Sequence, residues 1–290
     1  MSLSDKMLDL SLRKVISRGR SIFGLGDPGL KPSAGINELL GEEQVSAIAA
    51  MPRYTRGEAN FDNAVFVFND NVALLGMLDE IYVRRNYAFR TNNDHPVILD
   101  CGANIGVGVA YLKKQCPNAV IYAFEPDGEA FRCLSENIKR NNFSDVHLQR
   151  NAVWINNQEL DFYADGSWGG GLFPKKGSVS SSSSSRVTAV DISDYLNQPI
   201  EFLKMDIEGA ETEVILHASA KIIKNVKRFF FEWHSMKGEG QLLGKILHEF
   251  ESSGFRYHIK EASFRSTPFV YIPEGSMDSQ LDVFLYKGNL

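Results

Sequence analysis

The stretch Val97–Gly108, VILDCGANIGVG, joins an apolar run directly to a glycine-rich turn, and that junction restricts the chain to few folds. Val97, Ile98 and Leu99 form the short continuous apolar run of a strand covered on both faces, and Val107, Val109, Ala110 and Leu112 resume on a helical period. Strand, tight turn and helix are predicted in that order. Gly102, Gly106 and Gly108 let the backbone turn sharply and approach a ligand where a Cβ would clash. The spacing is Asp100-x-Gly102-x-Asn104-x-Gly106 rather than GxGxxG, with an acid before the first glycine, where a pyrophosphate would be repelled. A cofactor without phosphates suits this turn better than a dinucleotide.

The next strand supplies a companion to the turn. Val120–Phe124 runs into Glu125-Pro126-Asp127, so a second buried strand ends on an acid, 25 residues after Asp100. That interval fits a carboxylate whose two oxygens accept the two hydroxyls of a ribose. Pro126 helps to end the strand, and Asp127 caps a helix marked by Ala130, Phe131, Leu134 and Ile138. Strand and helix then alternate over 97–102, 107–115, 119–125, 128–141 and 146–150, the pattern of a doubly wound α/β sheet with right-handed crossovers.

Ahead of this core, residues 1–95 read as a cap. It comprises a short amphipathic helix, a Gly/Pro-rich connector over 24–35, a helical stretch near 36–51, a strand at 64–69, and a helix over 71–82. The predicted division is a cap over 1–95 and a core over 96–290, with an insertion at about 155–185. There, Trp154, Phe162, Tyr163, Trp168, Leu172 and Phe173 interleave with Gly166, Gly169, Gly170 and Gly171, the composition of a hairpin with a mobile tip. Ser180–Ser185 reads as a flexible loop leading into a strand at 186–190. No GxSxG elbow accompanies these serines, which argues against a serine hydrolase.

With 290 residues and a hydrophobic fraction of 43%, the chain can bury a full core. A net charge of -5 without a clustered basic face argues against a nucleic-acid partner. Cys101, Cys116 and Cys133 form neither a CxxC nor a disulfide framework, as expected of reduced thiols in a cytoplasmic protein. The first residues are apolar at helical spacing but are broken by Asp5, Asp9, Arg13 and Lys14, and no later run approaches the length of a membrane span. Neither secretion nor a membrane span is predicted.

In the second half, Phe202-Leu203-Lys204-Met205 leads into Asp206-Ile207-Glu208-Gly209-Ala210-Glu211, another apolar strand ending in acids before a helix. A doubly wound sheet puts Asp206 and Glu208 at its carboxyl edge, where burying carboxylates is costly unless a ligand, cation or donor compensates. Val226–Phe231 then runs into Glu232-Trp233-His234, which places an acid and an imidazole at a further strand end.

Taken together, Asp100–Gly106, Glu125–Asp127, Asn151-Ala152-Val153-Trp154, Lys204–Glu211 and Glu232-x-His234 resemble the FkbM family of S-adenosylmethionine-dependent methyltransferases. The resemblance extends over roughly residues 60–290, and the DIEGAE block is its most specific part. It implies a seven-stranded Rossmann-like core, a mostly parallel sheet to which the chain's own pattern adds the helical cap and the inserted hairpin. It also implies S-adenosylmethionine as methyl donor and a hydroxyl oxygen of a sugar, glycoside or other small metabolite as acceptor. Carried over residue by residue, it gives Asp100, Gly102, Asn104 and Gly106 to the cofactor turn and Glu125 to the ribose. Asn151 and Ala152 then lie near the adenine, and Asp206, Glu208, Glu232 and His234 face the methyl acceptor. The serine run and the first 60 residues depart from the family pattern.

A sulfonium methyl is already activated, so the protein has to align an oxygen with it and take up the oxygen's proton. His234 is the leading base, because an unperturbed imidazole, with a pKa of about 6.5, is largely neutral near pH 7, and Glu232 or Asp206 can orient the ring. Asp206 is the second candidate. A Mg²⁺ ion held by Asp206, Glu208 and Glu232 would polarise the hydroxyl instead. Two other classes fit less of the sequence: an inactive relative that only binds the cofactor, and a nicotinamide-dependent dehydrogenase.

Overall fold

The computed structural model describes residues 33–163, 170–172, 184–262, 269–270 and 277–288. In the cap, α1 (Ala34–Leu40) and α2 (Glu42–Ala49) replace the single helical stretch expected there, because Gly41 adopts φ 82 between them. A hairpin follows, β1 (Gly57–Phe61) against β2 (Ala64–Phe68), turned by Asp62 and Asn63 in the left-handed region, as two-residue hairpins require. Next comes α3 (Asn71–Leu78), capped by the Asp70 carboxylate on Val72 N–H at 3.0 Å. It widens into a single π-helical turn, Asp79–Val83. The expected amphipathic helix near the start lies outside the described residues.

The core elements are β3 (Val97–Cys101), α4 (Val107–Gln115), β4 (Val120–Phe124), α5 (Gly128–Arg140) and β5 (Val146–Gln149). After an insertion come β9 (Ile200–Met205), α6 (Glu211–Asn225), β10 (Val226–Met236), α7 (Leu243–Ser252), β11 (Arg256–Glu261) and β12 (Met277–Tyr286). The insertion holds β6 (Ala152–Trp154), β7 (Gln158–Tyr163) and β8 (Ser184–Asp191). These form a separate three-stranded sheet, in which β7 and β8 make the expected hairpin and β6 adds a parallel strand. Trp168, Gly169, Phe173 and Ser180–Ser183 lie outside the described residues. Ser184 and Ser185, expected in a loop, pair with Tyr163 and Phe162 in β8.

Seven strands build the main sheet in the order β11-β12-β10-β9-β3-β4-β5, with β12 antiparallel to both its neighbours and the other pairings parallel. The chain steps outward from β3 to β4 and β5, then returns to the other side of β3 with β9 and β10. The strand order thus reverses between β3 and β9, and at such a reversal the crossovers diverge and leave a crevice at the carboxyl ends.

Strand residues alternate between two cores, as the two-residue period of a strand demands. Ile98, Ile121, Phe202 and Phe230 pack with α4, α5 and the cap residues Phe66, Leu74 and Leu78 on one face. Leu99, Phe124, Leu203, Phe229 and Phe231 pack with α6 and α7 on the other. Phe66, Phe124, Phe229 and Phe231 are fully buried, each worth about 1.5–3 kcal/mol of transfer free energy. Covered on both faces, the sheet meets solvent only at its edges and ends, and the polar groups at the carboxyl end become the chemistry of the molecule.

Candidate active site

At the end of β3 the chain must turn within van der Waals reach of the end of β9. Gly102 has φ 88, and a Cβ built there would lie 1.9 Å from the Asp206 carbonyl oxygen. Glycine is therefore required twice over, by the dihedral and by the space. Gly106 starts α4 at φ 91, and a Cβ there would meet only the tip of Leu134 at 2.7 Å. Asn104, between them, sits at φ 48, where its Oδ1 accepts from Ile105 N–H at 2.8 Å.

Glu125, just beyond β4, is buried, and its carboxylate holds the turn. One oxygen accepts from Asn104 N–H and the other from Asp127 N–H, both at 2.8 Å. Burial pushes its pKa up to about 7, against these two backbone donors. Asn151, following β5, donates to Thr188 O at 3.2 Å, and Ala152 opens β6 in the buried base of the insertion. Glu125 N–H donates to Gln149 O, which joins the ends of β4 and β5 along the same edge.

Lys204 interrupts the apolar run of β9, and its ammonium lies at the centre of the crevice. Nζ donates to Gly102 O at 2.6 Å and Cys101 O at 3.2 Å, and stands 3.7 Å from both Asp100 Oδ1 and Asp206 Oδ2. Burial works against the charge, but Asp206 and Asp100 outweigh it and hold the ammonium above its ordinary pKa. Asp100 is almost completely buried, and burial raises its carboxyl in spite of Lys204. Both oxygens of Asp100 and Oδ1 of Asp206 are buried without a hydrogen-bond partner. Unmet acceptors of this kind cost free energy, and a ligand carrying N–H donors or positive charge would satisfy them.

Beyond Asp206 the loop carries Glu208 at φ 57, and the carboxylate of Glu211 fixes it by accepting from Ile207 N–H at 2.7 Å and Gly209 N–H at 3.0 Å. Glu211 also meets His234 Nδ1 at 3.2 Å. Glu232 and His234 were expected at a strand end, but they lie within β10. This strand outruns β9, its pairing with β9 ending at Phe231, and continues to Met236 because β12 supplies partners for the remaining residues. Gln280 on β12 bridges the two, its Nε2 lying 2.6 Å from Glu232 Oε1 and 3.3 Å from His234 Nε2.

His234 does not sit in the environment of an unperturbed imidazole. Burial opposes its charge, but Glu211, then Glu208 and Glu232, raise its pKa well above the ordinary value. Its Nε2 is 3.8 Å from Glu208 and 3.9 Å from Glu232. These carboxylates favour the charged ring, whereas Gln280, with its amide nitrogen toward Nε2, favours a lone pair at that atom. Ligand atoms of Asp206, Glu232 and His234 all lie within 4.8 Å of one another and could hold a metal ion. Glu208, expected among the metal ligands, is not one of that trio.

The cap and β12 add an outer arc. Asn86 Nδ2 donates to Asp282 Oδ2 at 3.0 Å and reaches Glu80 Oε1 at 3.5 Å, while Lys260 donates to Asn86 Oδ1 at 3.1 Å. Burial, then Asp282 and Asp206, push Glu80 up to about 8, and burial, then Asp206, push Asp282 up to about 6. Burial and Asp206 also raise Glu232. Lys204, Gln280 and Asp282 carried no warning in the sequence, since a strand interior reads as core. Glu211 had a signal in its position three residues after Glu208, at the start of a helix.

The methyltransferase FkbM domain matches residues 100–257, more than half of the chain. "Methyltransferase 1" of Beauveria bassiana (strain ARSEF 2860) is 25% identical over 158 residues, 47% of this chain and 64% of that protein. "Methyltransferase sdnD" of Sordaria araneosa is 39% identical over 62 residues, 21% of this chain and 24% of that protein. The matched segments therefore span less than two thirds of either relative. Among solved structures, methyltransferase FkbM from Methylobacillus flagellatus KT superposes with a TM-score of 0.46 at 17% identity, covering 74% of this chain and 54% of that one. Among the described residues, no helix is long and apolar enough to cross a membrane.

Proposed function

The chain belongs to the FkbM family of S-adenosylmethionine-dependent methyltransferases, and from that premise we propose that it methylates a hydroxyl oxygen of a small molecule. A sugar, glycoside or comparable secondary metabolite is the class of acceptor we favour. The observation that carries this reading is the convergence, at one reversal of strand order, of a cofactor turn with unmet acceptors and a second set of titratable groups beside it.

The donor set suits S-adenosylmethionine. The methionine ammonium offers the donors that Asp100 and Asp206 lack, and Glu125 has two oxygens for a ribose diol, each already fixed in direction by one backbone N–H. Gly102 and Gly106 keep the turn bare, Asn104 holds its left-handed bend, and Asn151 and Ala152 border the adenine side. When bound, the cofactor supplies an activated methyl group. The protein's remaining task is to present an oxygen in line and remove its proton.

His234 is our candidate for the proton acceptor, with Glu232 and Asp206 directing the hydroxyl. Gln280 lies against the same Nε2 and controls its availability, because an amide nitrogen turned toward the ring favours a free lone pair and a turned-over carbonyl favours a protonated ring. The ring takes a proton only after losing its own, so turnover is expected to climb into the alkaline range. A divalent cation at Asp206, Glu232 and His234 is a second reading, favoured by the spacing of their ligand atoms and open only to a ring without a proton on its ligating nitrogen.

The test is transfer of labelled methyl from S-adenosylmethionine to a panel of sugars, glycosides and hydroxylated metabolites. O-linked label in a product supports the proposal, and label on nitrogen or carbon, or none with any hydroxyl acceptor, counts against it. A rate abolished by chelator and restored by Mg²⁺ would select the metal route, and an unaffected rate would leave the proton to His234.

A further inference from the structure

Lys204 spans the crevice between the ends of β3 and β9. Directly across from Asp100 in the β3/β9 register, it reaches the carbonyls of Cys101 and Gly102 and the carboxylates of Asp100 and Asp206. Asp206 is tied to the same turn through its N–H, which donates to Cys101 O at 3.1 Å. One buried ammonium thus balances two carboxylates at the boundary between the cofactor turn and the acceptor side. As simple charge compensation this is incomplete: three oxygens of those carboxylates still lack donors, and one positive charge faces two negative ones.

We propose that Lys204 is a positioning residue that sets how strongly the crevice distinguishes the charged methyl donor from the uncharged-sulfur product. This rests on the S-adenosylmethionine reading above. Donor and product share the adenosine and the amino acid, and differ by one methyl group and the positive charge on sulfur. A fixed charge in a poorly solvated crevice therefore acts unequally on the two. Lys204 opposes the sulfonium that Asp100 and Asp206 attract, which holds the donor's advantage down. The carboxylates' contacts with the methionine ammonium are common to donor and product, so removing Lys204 leaves their field on the sulfonium unopposed and the donor gains relative to the product, even where both bind less well because the turn has loosened.

Calorimetric dissociation constants for S-adenosylmethionine and S-adenosylhomocysteine on the intact protein test this without an acceptor. In Lys204→Met the product-to-donor ratio of dissociation constants is expected to rise about tenfold over the parent, or about 1.4 kcal/mol. The groups facing the vacated position are Asp100 on β3, Asp206 after β9 and Glu80 on the π-helical turn, with the Cys101 thiol and the Tyr87 phenol beside them. Lys204→Arg keeps the charge and should hold the ratio near the parent's, whatever the cost to overall affinity. Should Lys204→Met not fold, Asp206→Asn serves in the opposite sense and should lower the ratio. Equal weakening of both ligands in Lys204→Met, or a ratio unmoved in Asp206→Asn, overturns the inference and leaves the donor reading standing. A parent that binds neither ligand overturns both.

Discussion

Gly102→Ala is the sharpest perturbation of the crevice, because its cost can be worked from the geometry. Alanine at φ 88 pays about 1–2 kcal/mol for the left-handed backbone before any contact is counted. Its Cβ would also lie 1.9 Å from a backbone carbonyl, that of Asp206, which a side-chain rotation cannot move aside. The ends of β3 and β9 must separate by on the order of 1 Å to reach a tolerable contact. That separation strains the Lys204 bond to Gly102 O at 2.6 Å and the Asp206 bond to Cys101 O at 3.1 Å, each worth about 1 kcal/mol net and more for the charged donor. The sum is about 3–5 kcal/mol, a large part of a typical domain's stability. Gly106→Ala is the control: its φ is as unfavourable, but the Cβ meets a flexible Leu134 tip, so about 1–2 kcal/mol is expected. Urea denaturation followed by circular dichroism measures both, with cofactor affinity as a second readout. A Gly102→Ala protein within 1 kcal/mol of the parent, or less affected than Gly106→Ala, would refute the close approach of the two strand ends.

Other expectations follow from the charges. Glu125 has a pKa raised to about 7, so the folded protein holds a proton there that the unfolded chain gives up nearer the ordinary value; this group's contribution to stability falls as pH rises toward 7. Donor affinity should run the other way, weakening below pH 7 as the carboxylate protonates, and calorimetry across pH should find that dependence gone in Glu125→Gln. Glu211→Ala removes the partner of two loop N–H groups and of His234, and is expected to cost about 2–4 kcal/mol in denaturant titration. It should also let the His234 pKa fall, readable by NMR. Glu211 and its neighbours raise the His234 pKa, so the ring stabilises the fold most below its ordinary pKa, and that contribution is lost as pH rises through the raised value. In catalysis, His234→Asn should reduce turnover by about 10²-fold and flatten the alkaline rise of the parent's pH profile; a variant that keeps both rate and profile moves the base to Asp206.

Much of the frame was legible because its signals are local. The apolar run before Gly102 and the helical period after it define β3 and α4 from adjacent residues, and Glu125 announces itself by ending the next strand. Other features depend on partners far along the chain. Glu232 and His234 look like residues beyond a strand until β12 arrives to extend β10, and the His234 pKa depends on Glu211, 23 residues away in sequence. Lys204 looks like an ordinary polar interruption of a strand until β3 places Asp100 directly across from it. Strand β1, with Gly57, Glu58 and Asn60 in its sequence, has poor strand propensity and exists through its pairing with β2. The split between α1 and α2 turns on a single glycine dihedral that helical periodicity does not register.

The central claim is that the carboxyl edge at β3, β4 and β9 is a binding site for S-adenosylmethionine in which Glu125 holds the ribose. Isothermal titration of the parent and of Glu125→Ala at pH 8, where the carboxylate is ionised, addresses it most directly. Saturable 1:1 binding to the parent is expected, weakened about tenfold or more by the substitution, with no binding of a nicotinamide dinucleotide. Unchanged affinity in Glu125→Ala would remove that residue from the site, and a parent that ignores S-adenosylmethionine but binds the dinucleotide would make this edge a nicotinamide site instead.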